Sequence, residues 1–104
     1  PTSGSARYSG DAAVGRDGIA EGANADFNVN FGNRTVSGRI SADRDSDIRF
    51  DPVYIDARIR GNQFYSDGTV SSSGHFYGKN AREMGGVFND SRQQLRGSFG
   101  ATRD

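Results

Sequence analysis

His75 and Tyr77 are the residues with the clearest potential for chemistry, because both residue types serve as axial haem ligands. Residues two apart in a strand share a face, so the pair could also hold a metal ion. Phe76 stands between them and is an aromatic candidate for the core. If Phe76 points inward, His75 and Tyr77 face solvent, where haem would lack an apolar pocket. We therefore interpret both as surface residues of a strand.

Three aspartates, Asp43, Asp45 and Asp47, have the spacing that opens a calcium-binding loop. The rest of that pattern is missing. The sixth position is Ile48, where glycine is needed, and the twelfth is Tyr54, where a bidentate glutamate should stand. A solvated acidic loop is the better interpretation.

The sequence holds no recognisable catalytic motif. It has no cysteine, and its one histidine belongs to neither a Ser-His-Asp spacing nor an H-E-x-x-H motif. Thirteen basic and thirteen acidic residues are interspersed along the chain, which argues against a nucleic-acid-binding surface. We expect no enzymatic activity, catalytic residue, metal ion, cofactor or nucleic-acid partner.

Strands of alternating polarity must position any functional side chain. The alternation is clearest over residues 25–31, where Phe27, Val29 and Phe31 share one face. Further strands are predicted over residues 6–10 (extending toward Val14), 35–41, 53–60, 63–70, 75–77, 87–88 and 95–101. The other residues predicted to face inward are Val36, Gly38, Ile40, Val53, Ile55, Ala57, Ile59, Leu95, Gly97, Phe99 and Ala101.

The segments between these strands are rich in turn formers and charge. We predict a tight hairpin turn at Gly32-Asn33 and further turns at residues 61–62, 71–74 and 89–92. Two longer connections, a loop at residues 15–24 and a charged segment at residues 42–52, are expected to carry the binding specificity.

One helical turn is predicted over about residues 79–84. Asn80 is a suitable N-cap, and Glu83 stands three residues on, at the spacing of a capping box. Gly85 and Gly86 then offer the left-handed conformation that ends a helix. A helix of one turn cannot hold itself together in water, so Ala81 and Met84 should pack inward.

About eight short antiparallel strands favour a closed barrel, because an open sheet would expose two edges. The outward positions are Asn, Asp, Ser and Arg, unlike the apolar outer band of a membrane barrel. The predicted fold is therefore all-β, a small eight-stranded antiparallel up-and-down β-barrel with one short helical turn. Residues 1–104 form a single domain.

The stretch from Gly78 to Phe88 resembles a signature of the transferrin-binding protein B-like family of bacterial surface lipoproteins, in their C-terminal β-barrel. The hairpin at residues 27–40 and the closing strand at residues 95–101 are similar to that barrel as well. Lys79 stands where the family usually has proline. The signature residues are Gly78, Asn80, Glu83, Met84, Gly85, Gly86 and Phe88.

The resemblance implies a barrel carried on a lipid-anchored protein at the bacterial cell surface, on the outer membrane, or secreted. It implies binding of host proteins such as transferrin, complement regulators or haem carriers. The chain lacks the handle domain and long loops with which transferrin-binding members contact their partner. We expect a monomer that is a fragment or mature part of a longer lipoprotein, with a lipid anchor only through a missing N-terminal segment.

Three functions stay open at this point. The first is a protein-binding or structural module, for which Tyr54, Arg58 and Arg60 form the best candidate contact patch on one outward face. The second is a lipocalin-like carrier of a small ligand or haem. It is disfavoured if Phe27, Phe31, Phe64 and Phe99 fill the interior. The third is a protease inhibitor that inserts residues 1–5 into a protease cleft.

Overall fold

Eight antiparallel strands close into a single barrel in the computed structural model, which describes residues 3–104. Each strand pairs with the next along the chain, and β8 pairs with β1 to complete the wall. The predicted eight-stranded up-and-down barrel is therefore confirmed. The strands are β1 (Ser5–Arg16), β2 (Ile19–Asn30), β3 (Thr35–Ala42), β4 (Val53–Arg60), β5 (Gln63–Ser66), β6 (Val70–Tyr77), β7 (Glu83–Asp90) and β8 (Leu95–Arg103).

The interior is filled by a continuous column of aromatic rings. Phe99 lies at its centre, with its ring centroid 4.9 Å from that of Phe27 and 6.2 Å from that of Phe64. Phe64 continues the column to Phe76 at 5.5 Å, and Phe76 reaches Tyr8 at 5.9 Å. Such pairs add stabilisation beyond the area that they bury. The predicted inward positions are confirmed, and Phe27, Phe31, Phe64 and Phe99 are buried.

Glycines make room for this column. Four inward-facing phenylalanines each stand directly opposite a glycine on the neighbouring strand: Phe27 opposite Gly38, Phe64 opposite Gly74, Phe88 opposite Gly97 and Phe99 opposite Gly86. A Cβ atom added at Gly38 would overlap the Phe27 ring, and one at Gly74 would overlap the Phe64 ring. Each ring covers the backbone of its glycine, an arrangement that also fixes the strand register.

The predicted loop at residues 15–24 is wrong, because the structure places a long hairpin there. β1 and β2 pair residue by residue up to Arg16 and Ile19, and only Asp17 and Gly18 form the turn. Both turn residues have positive φ, 52° and 80°, as a two-residue hairpin turn requires. The strand pattern was hidden because the inward residue Ala23 is small, whereas the large apolar residue Ile19 is exposed.

The turn predicted at residues 71–74 is also wrong. These serines and Gly74 lie within β6, and the chain reverses instead over residues 67–69. Ser72 is buried inside the barrel, where its hydroxyl lies 2.7 Å from that of Ser66. This hydrogen bond lets serine occupy a core position without an unsatisfied polar group.

The helical turn is shorter than predicted and has no capping box. A 3₁₀ turn covers Lys79–Ala81, its N-cap is Gly78, and no side-chain cap hydrogen bond forms. Asn80 has φ 58°, so it adopts a left-handed conformation inside the turn. Glu83 already begins β7. Ala81 and Met84 are buried, as predicted.

Gly85 and Gly86 do not end a helix in a left-handed conformation, so that part of the prediction is wrong as well. Both belong to the extended strand β7. Gly86 is the interior partner of Phe99, and Gly85 lies on the outer face opposite Gly100. The glycine pair therefore serves the packing of a strand rather than the end of a helix.

The hairpin turn between β2 and β3 spans residues 31–34 rather than Gly32-Asn33 alone. The Asn33 N–H donates to Asn30 Oδ1 at 2.9 Å, and Arg34 has φ 60°. Phe31 is buried beside Phe76, and its N–H donates to Gly4 O at 2.8 Å. The side chain of a turn residue thus helps to close this end of the barrel.

The two ends of the barrel are closed in different ways. At the 3₁₀ end, which carries residues 31–34, 61–62 and 78–82, the Tyr8 hydroxyl donates to Ala81 O. The Asp104 N–H donates to Arg7 O at 2.8 Å there, so the last residues of the chain lie beside β1.

At the opposite end, here called the loop end, residues 43–52 cross the opening. Ile48 is buried there, and Phe50 packs against the core. The Gln93 side chain fastens the loop through two hydrogen bonds with the Asp51 backbone, at 2.8 and 3.0 Å. The Arg16 side chain adds a third contact by donating to Arg49 O at 2.8 Å.

Candidate protein-binding surface

The outer face of β4 carries the contact patch predicted from sequence. Tyr54, Arg58 and Arg60 all point outward, with Val53, Ile55 and Ala57 buried between them. Tyr54 is 64% exposed and stands opposite Arg39 on β3. Their placement on one outer face is confirmed.

The structure does not bring the three residues into one compact patch. Tyr54 and Arg60 are six residues apart on the same strand, which separates them by about 20 Å. Arg58 stands opposite Tyr65, and Arg60 stands opposite Gln63, both on β5. The two arginines therefore join a neighbouring surface on β5, β6 and β7, from which Tyr54 is remote.

That neighbouring surface is a shallow depression in the barrel wall, called here the β5–β7 depression. Its outward-facing lining residues are Arg60, Gln63, Tyr65, Ser73, His75 and Val87. Tyr65 and Val87 are 47% and 54% exposed, high values for large apolar side chains. Small residues surround them, because Ser73 lies between the two in the sheet and Gly85 follows beside His75.

The depression suits protein contact better than reaction chemistry. It offers an aromatic ring, a branched apolar side chain, a guanidinium group and an imidazole within one area. Tyr and Arg are enriched among the residues that dominate interface energetics. The backbone of the depression is held by paired strands, so no loop has to be ordered on binding, which lowers the entropic cost of association.

Tyr65 and Val87 were not among the binding residues predicted from the sequence. The turn wrongly predicted at residues 71–74 took Ser73 out of the sheet, and Ser73 is the residue that lies between Tyr65 and Val87. A useful signal was present: Phe64, Phe76 and Phe88 are all strong inward candidates. Each fixes the residue beside it, including Tyr65 and Val87, on the outside.

His75 and Tyr77 face solvent from β6, as predicted, with their ring centroids 5.4 Å apart. Phe76 points into the core between them. In the acidic segment, Ser46 N–H donates to Asp43 O and Asp47 N–H donates to the Glu21 carboxylate. Within residues 3–104, no group of three or more His, Cys, Asp or Glu side chains is arranged to hold a metal ion.

The segment proposed for protease inhibition lies partly in the barrel. Pro1 and Thr2 are outside the described residues. Gly4 is held by the hydrogen bond from Phe31, and Ser5 opens β1.

Among residues 3–104 no helix is both long and apolar enough to cross a membrane.

Comparisons with known proteins agree with this architecture. The family described as the C-lobe and N-lobe β-barrels of Tf-binding protein B matches residues 1–103. Transferrin-binding protein B of Moraxella catarrhalis is 31% identical over 137 aligned positions, which cover 99% of this chain and 19% of that protein.

Solved structures have the same fold. Transferrin-binding protein B from serogroup B Neisseria meningitidis superimposes with a TM-score of 0.76 at 26% identity, over 100% of this chain and 26% of that one. The haemoglobin receptor HpuA from Kingella denitrificans gives 0.75 at 24% identity, over 98% of this chain and 42% of that one. At this identity HpuA shows the fold alone.

The chain spans about a fifth of the length of its curated relative. The alignment of 137 positions is longer than the 104 residues of this chain, so the relative carries insertions that this barrel lacks.

Proposed function

This chain belongs to the family of transferrin-binding protein B β-barrels. From that premise we propose that it is a non-enzymatic binding domain at the bacterial surface that captures a protein partner through the β5–β7 depression. The observation that carries the proposal is the pair Tyr65 and Val87. Both stand exposed on a rigid wall and are bordered by small residues that leave space for an incoming side chain.

The wall is favoured over the loops as the contact surface. Five of the seven connections have two to four residues, namely 17–18, 31–34, 61–62, 67–69 and 91–94. The longest connection, residues 43–52, is fastened across the loop end by Gln93 and Arg16. With the connections short or fastened in this way, a partner that contacts this barrel meets mainly its outer strands.

A carrier function for a small ligand or haem is not favoured, because the aromatic column occupies the interior. The ring centroid of Phe99 lies within 6.5 Å of the ring centroids of three other phenylalanines, Phe27, Phe64 and Phe88. A small barrel of eight strands has room for its own side chains or for one small ligand. In this barrel the side chains take that space.

The first partner to test is host transferrin, because a relative that is 31% identical is named for binding it. Human transferrin and haemoglobin, each with and without bound iron or haem, are passed over the immobilised 104-residue chain. Capture from whole serum followed by mass spectrometry extends the search to other host proteins. Saturable binding of a protein, with no turnover of it, is the expected result.

A matched pair of tyrosine variants tests the location of the site. Tyr65→Ala removes the ring from the depression and should weaken binding by about tenfold or more, the usual effect of removing an interface anchor. Tyr54→Ala removes a ring of greater exposure from a part of the wall that is remote from the depression, and it should change affinity by less than about threefold. Equal losses in both variants, or an effect of Tyr54→Ala alone, would contradict the proposal.

A further inference from the structure

The charges of this chain are separated between the two ends of the barrel. In an up-and-down barrel, successive connections lie at alternate ends. Basic and acidic connections that follow one another along the chain therefore lie at opposite ends of the barrel. The 3₁₀ end carries six exposed basic side chains, which come from β1, the 31–34 turn, the last residues of β4 and the 78–82 connection. They are Arg7, Arg34, Arg58, Arg60, Lys79 and Arg82.

Acidic side chains are few at this end. Glu83 is half-buried at the start of β7, and Asp104 accepts a hydrogen bond from the Ser9 hydroxyl at 2.7 Å. A seventh basic side chain, Arg103, lies partly buried beside Tyr8 and Phe31, with its guanidinium 5.7 Å from each ring centroid. Its Nη2 donates weakly to the Tyr8 hydroxyl, at 3.4 Å.

The loop end has the opposite composition. Its exposed acidic side chains are Asp17, Asp43, Asp45, Asp47, Asp51 and Asp67. Four exposed basic side chains lie there too, those of Arg44, Arg49, Arg92 and Arg96, so the excess of acidic side chains at this end is small. The ends are separated by about 20 Å, the length of a tilted eight-residue strand. That distance exceeds the screening length of about 8 Å at physiological salt, so a surface near one end barely senses the other.

The 3₁₀ end is also flatter than the loop end. Its connections are the two turns at residues 31–34 and 61–62 and the compact 78–82 segment, which is held down by the Tyr8 hydrogen bond to Ala81. At the loop end, Ile19–Gly22 of β2 extend past the last paired residue of β3, so the β1–β2 hairpin projects.

We propose that the 3₁₀ end docks flat on a membrane surface of anionic phosphate headgroups. The basic residues come from four separate parts of the chain around the rim, so a planar anionic layer can reach them together. Arginine suits the task because its guanidinium forms bidentate contacts with phosphate.

Tyr77 supports a membrane as the occupant. It lies at the end of β6, two residues before Lys79, and is 45% exposed on the outer wall at this end. An aromatic residue with a polar hydroxyl is typical of the headgroup region of a bilayer. The docked orientation would leave the β1–β2 hairpin and the acidic loop end directed away from the membrane.

Vesicle sedimentation with the 104-residue chain tests the proposal. Vesicles of phosphatidylcholine alone are compared with vesicles that contain about one third phosphatidylglycerol, at about 50 mM and 300 mM salt. Binding to the anionic vesicles at low salt, with loss at high salt and no binding to phosphatidylcholine, is the expected result. Failure to bind anionic vesicles at low salt would overturn the proposal.

Two variants with the same change in net charge locate the contact. Arg7→Gln, Arg34→Gln and Arg82→Gln together remove three positive charges from the 3₁₀ end, outside the β5–β7 depression. Arg44→Gln, Arg92→Gln and Arg96→Gln remove three from the loop end. The first triple variant should bind anionic vesicles about a hundredfold more weakly, and the second should lose less than about threefold.

Equal losses in the two variants would show dependence on net charge alone and would overturn the proposal. So would unchanged vesicle binding by the first variant. If vesicles do not bind at all and the first variant loses capture of a serum protein, the basic end instead contacts an acidic protein. Circular dichroism of both variants confirms that each remains folded.

Discussion

The barrel has two walls that differ in the residue types of their strands. The first wall is formed by β2, β3 and β4, and the second by β5, β6 and β7. In the first wall, aliphatic or aromatic residues alternate with polar ones, as in Val53–Arg60. In the second, serine and glycine occupy both faces, as in Val70–Tyr77. The strands of the first wall can therefore be predicted from the alternation of their side chains. The shape of the second wall instead depends on positions where the side chains are small.

This difference has a consequence for the outer surface. Where β3 and β4 expose Arg39, Asp56 and Arg58, the wall is covered by long, hydrated side chains. Where β6 and β7 expose Ser73 and Gly85, the wall is low, and Tyr65 and Val87 stand out from it. The small residues of β6 and β7, which weakened the alternation in the sequence, thus also produce the candidate binding surface.

The largest effect on stability is expected where the two walls meet. Phe99 contacts Phe27 from the first wall and Phe64 and Phe88 from the second. Replacing it with alanine should cost about 3–5 kcal/mol, because a large cavity would open at the centre of the column. Urea unfolding followed by tyrosine fluorescence measures the loss. A cost below about 1 kcal/mol would show that the walls are held together in another way.

Alanine at the interior glycines distinguishes the walls directly. At Gly74 the added methyl group would overlap both the Phe64 ring and the carbonyl oxygen of Gly85, whereas at Gly38 it meets mainly the Phe27 ring. We expect Gly74→Ala to cost about 3 kcal/mol and Gly38→Ala about 2, since a side chain yields more readily than a backbone. Unfolding in urea gives both values.

A second substitution checks the reason for that order. Adding Phe27→Leu to Gly38→Ala should recover part of the lost stability, because the smaller side chain leaves room for the methyl group. Adding Phe64→Leu to Gly74→Ala should recover little, since the overlap with the Gly85 carbonyl persists. Equal recovery in both walls would refute the distinction.

The turn that follows β7 provides an intermediate effect. Asp90 is buried, and its carboxylate accepts hydrogen bonds from Arg92 N at 3.0 Å, Gln93 N at 3.3 Å and Gln93 Nε2 at 2.9 Å. Asp90→Ala should cost about 2 kcal/mol, because it leaves these donors without a partner. Asp67→Ala, at an exposed turn position, is the control and should stay within about 0.5 kcal/mol of the parent.

The smallest change in stability is expected on the outer face. Val87→Asn replaces an exposed apolar side chain with a polar one of similar size, so the free energy of unfolding should shift by less than about 0.5 kcal/mol. Binding of the partner captured by the chain should nevertheless weaken, since an apolar contact in the depression is lost. A large loss of stability without a change in affinity would remove Val87 from the proposed surface.

Much of the fold was predictable because the barrel follows from the alternation of the first wall and from the number of strands. The predictions were wrong where local signals competed with tertiary packing. Asn80 and Glu83 have the spacing of a capping box, yet a 3₁₀ turn forms because Glu83 pairs with Thr102 in the sheet instead. Residues 71–74 have the composition of a turn, yet pairing with β5 and β7 keeps them extended.

The candidate site was predictable in part. The orientation of Arg58 and Arg60 follows from the period of β4. Their union with Tyr65 and Val87 depends on which strands are neighbours and in which register, a long-range property that no local pattern contains. The register in the second wall is fixed by Phe64 lying over Gly74 and Phe99 over Gly86, which is visible only once the strands are paired.

The pairing of the first strand with the last has a consequence for how the chain connectivity of this barrel can be changed. Because β1 pairs with β8 and Asp104 bonds to Arg7, a short linker could join residues 3 and 104 without crossing the barrel. New termini could then be opened at the exposed Asp17-Gly18 turn. The circularly permuted chain would keep every strand neighbour and move its termini from the basic end to the acidic end. A reporter protein could thereby be fused at either end of the barrel.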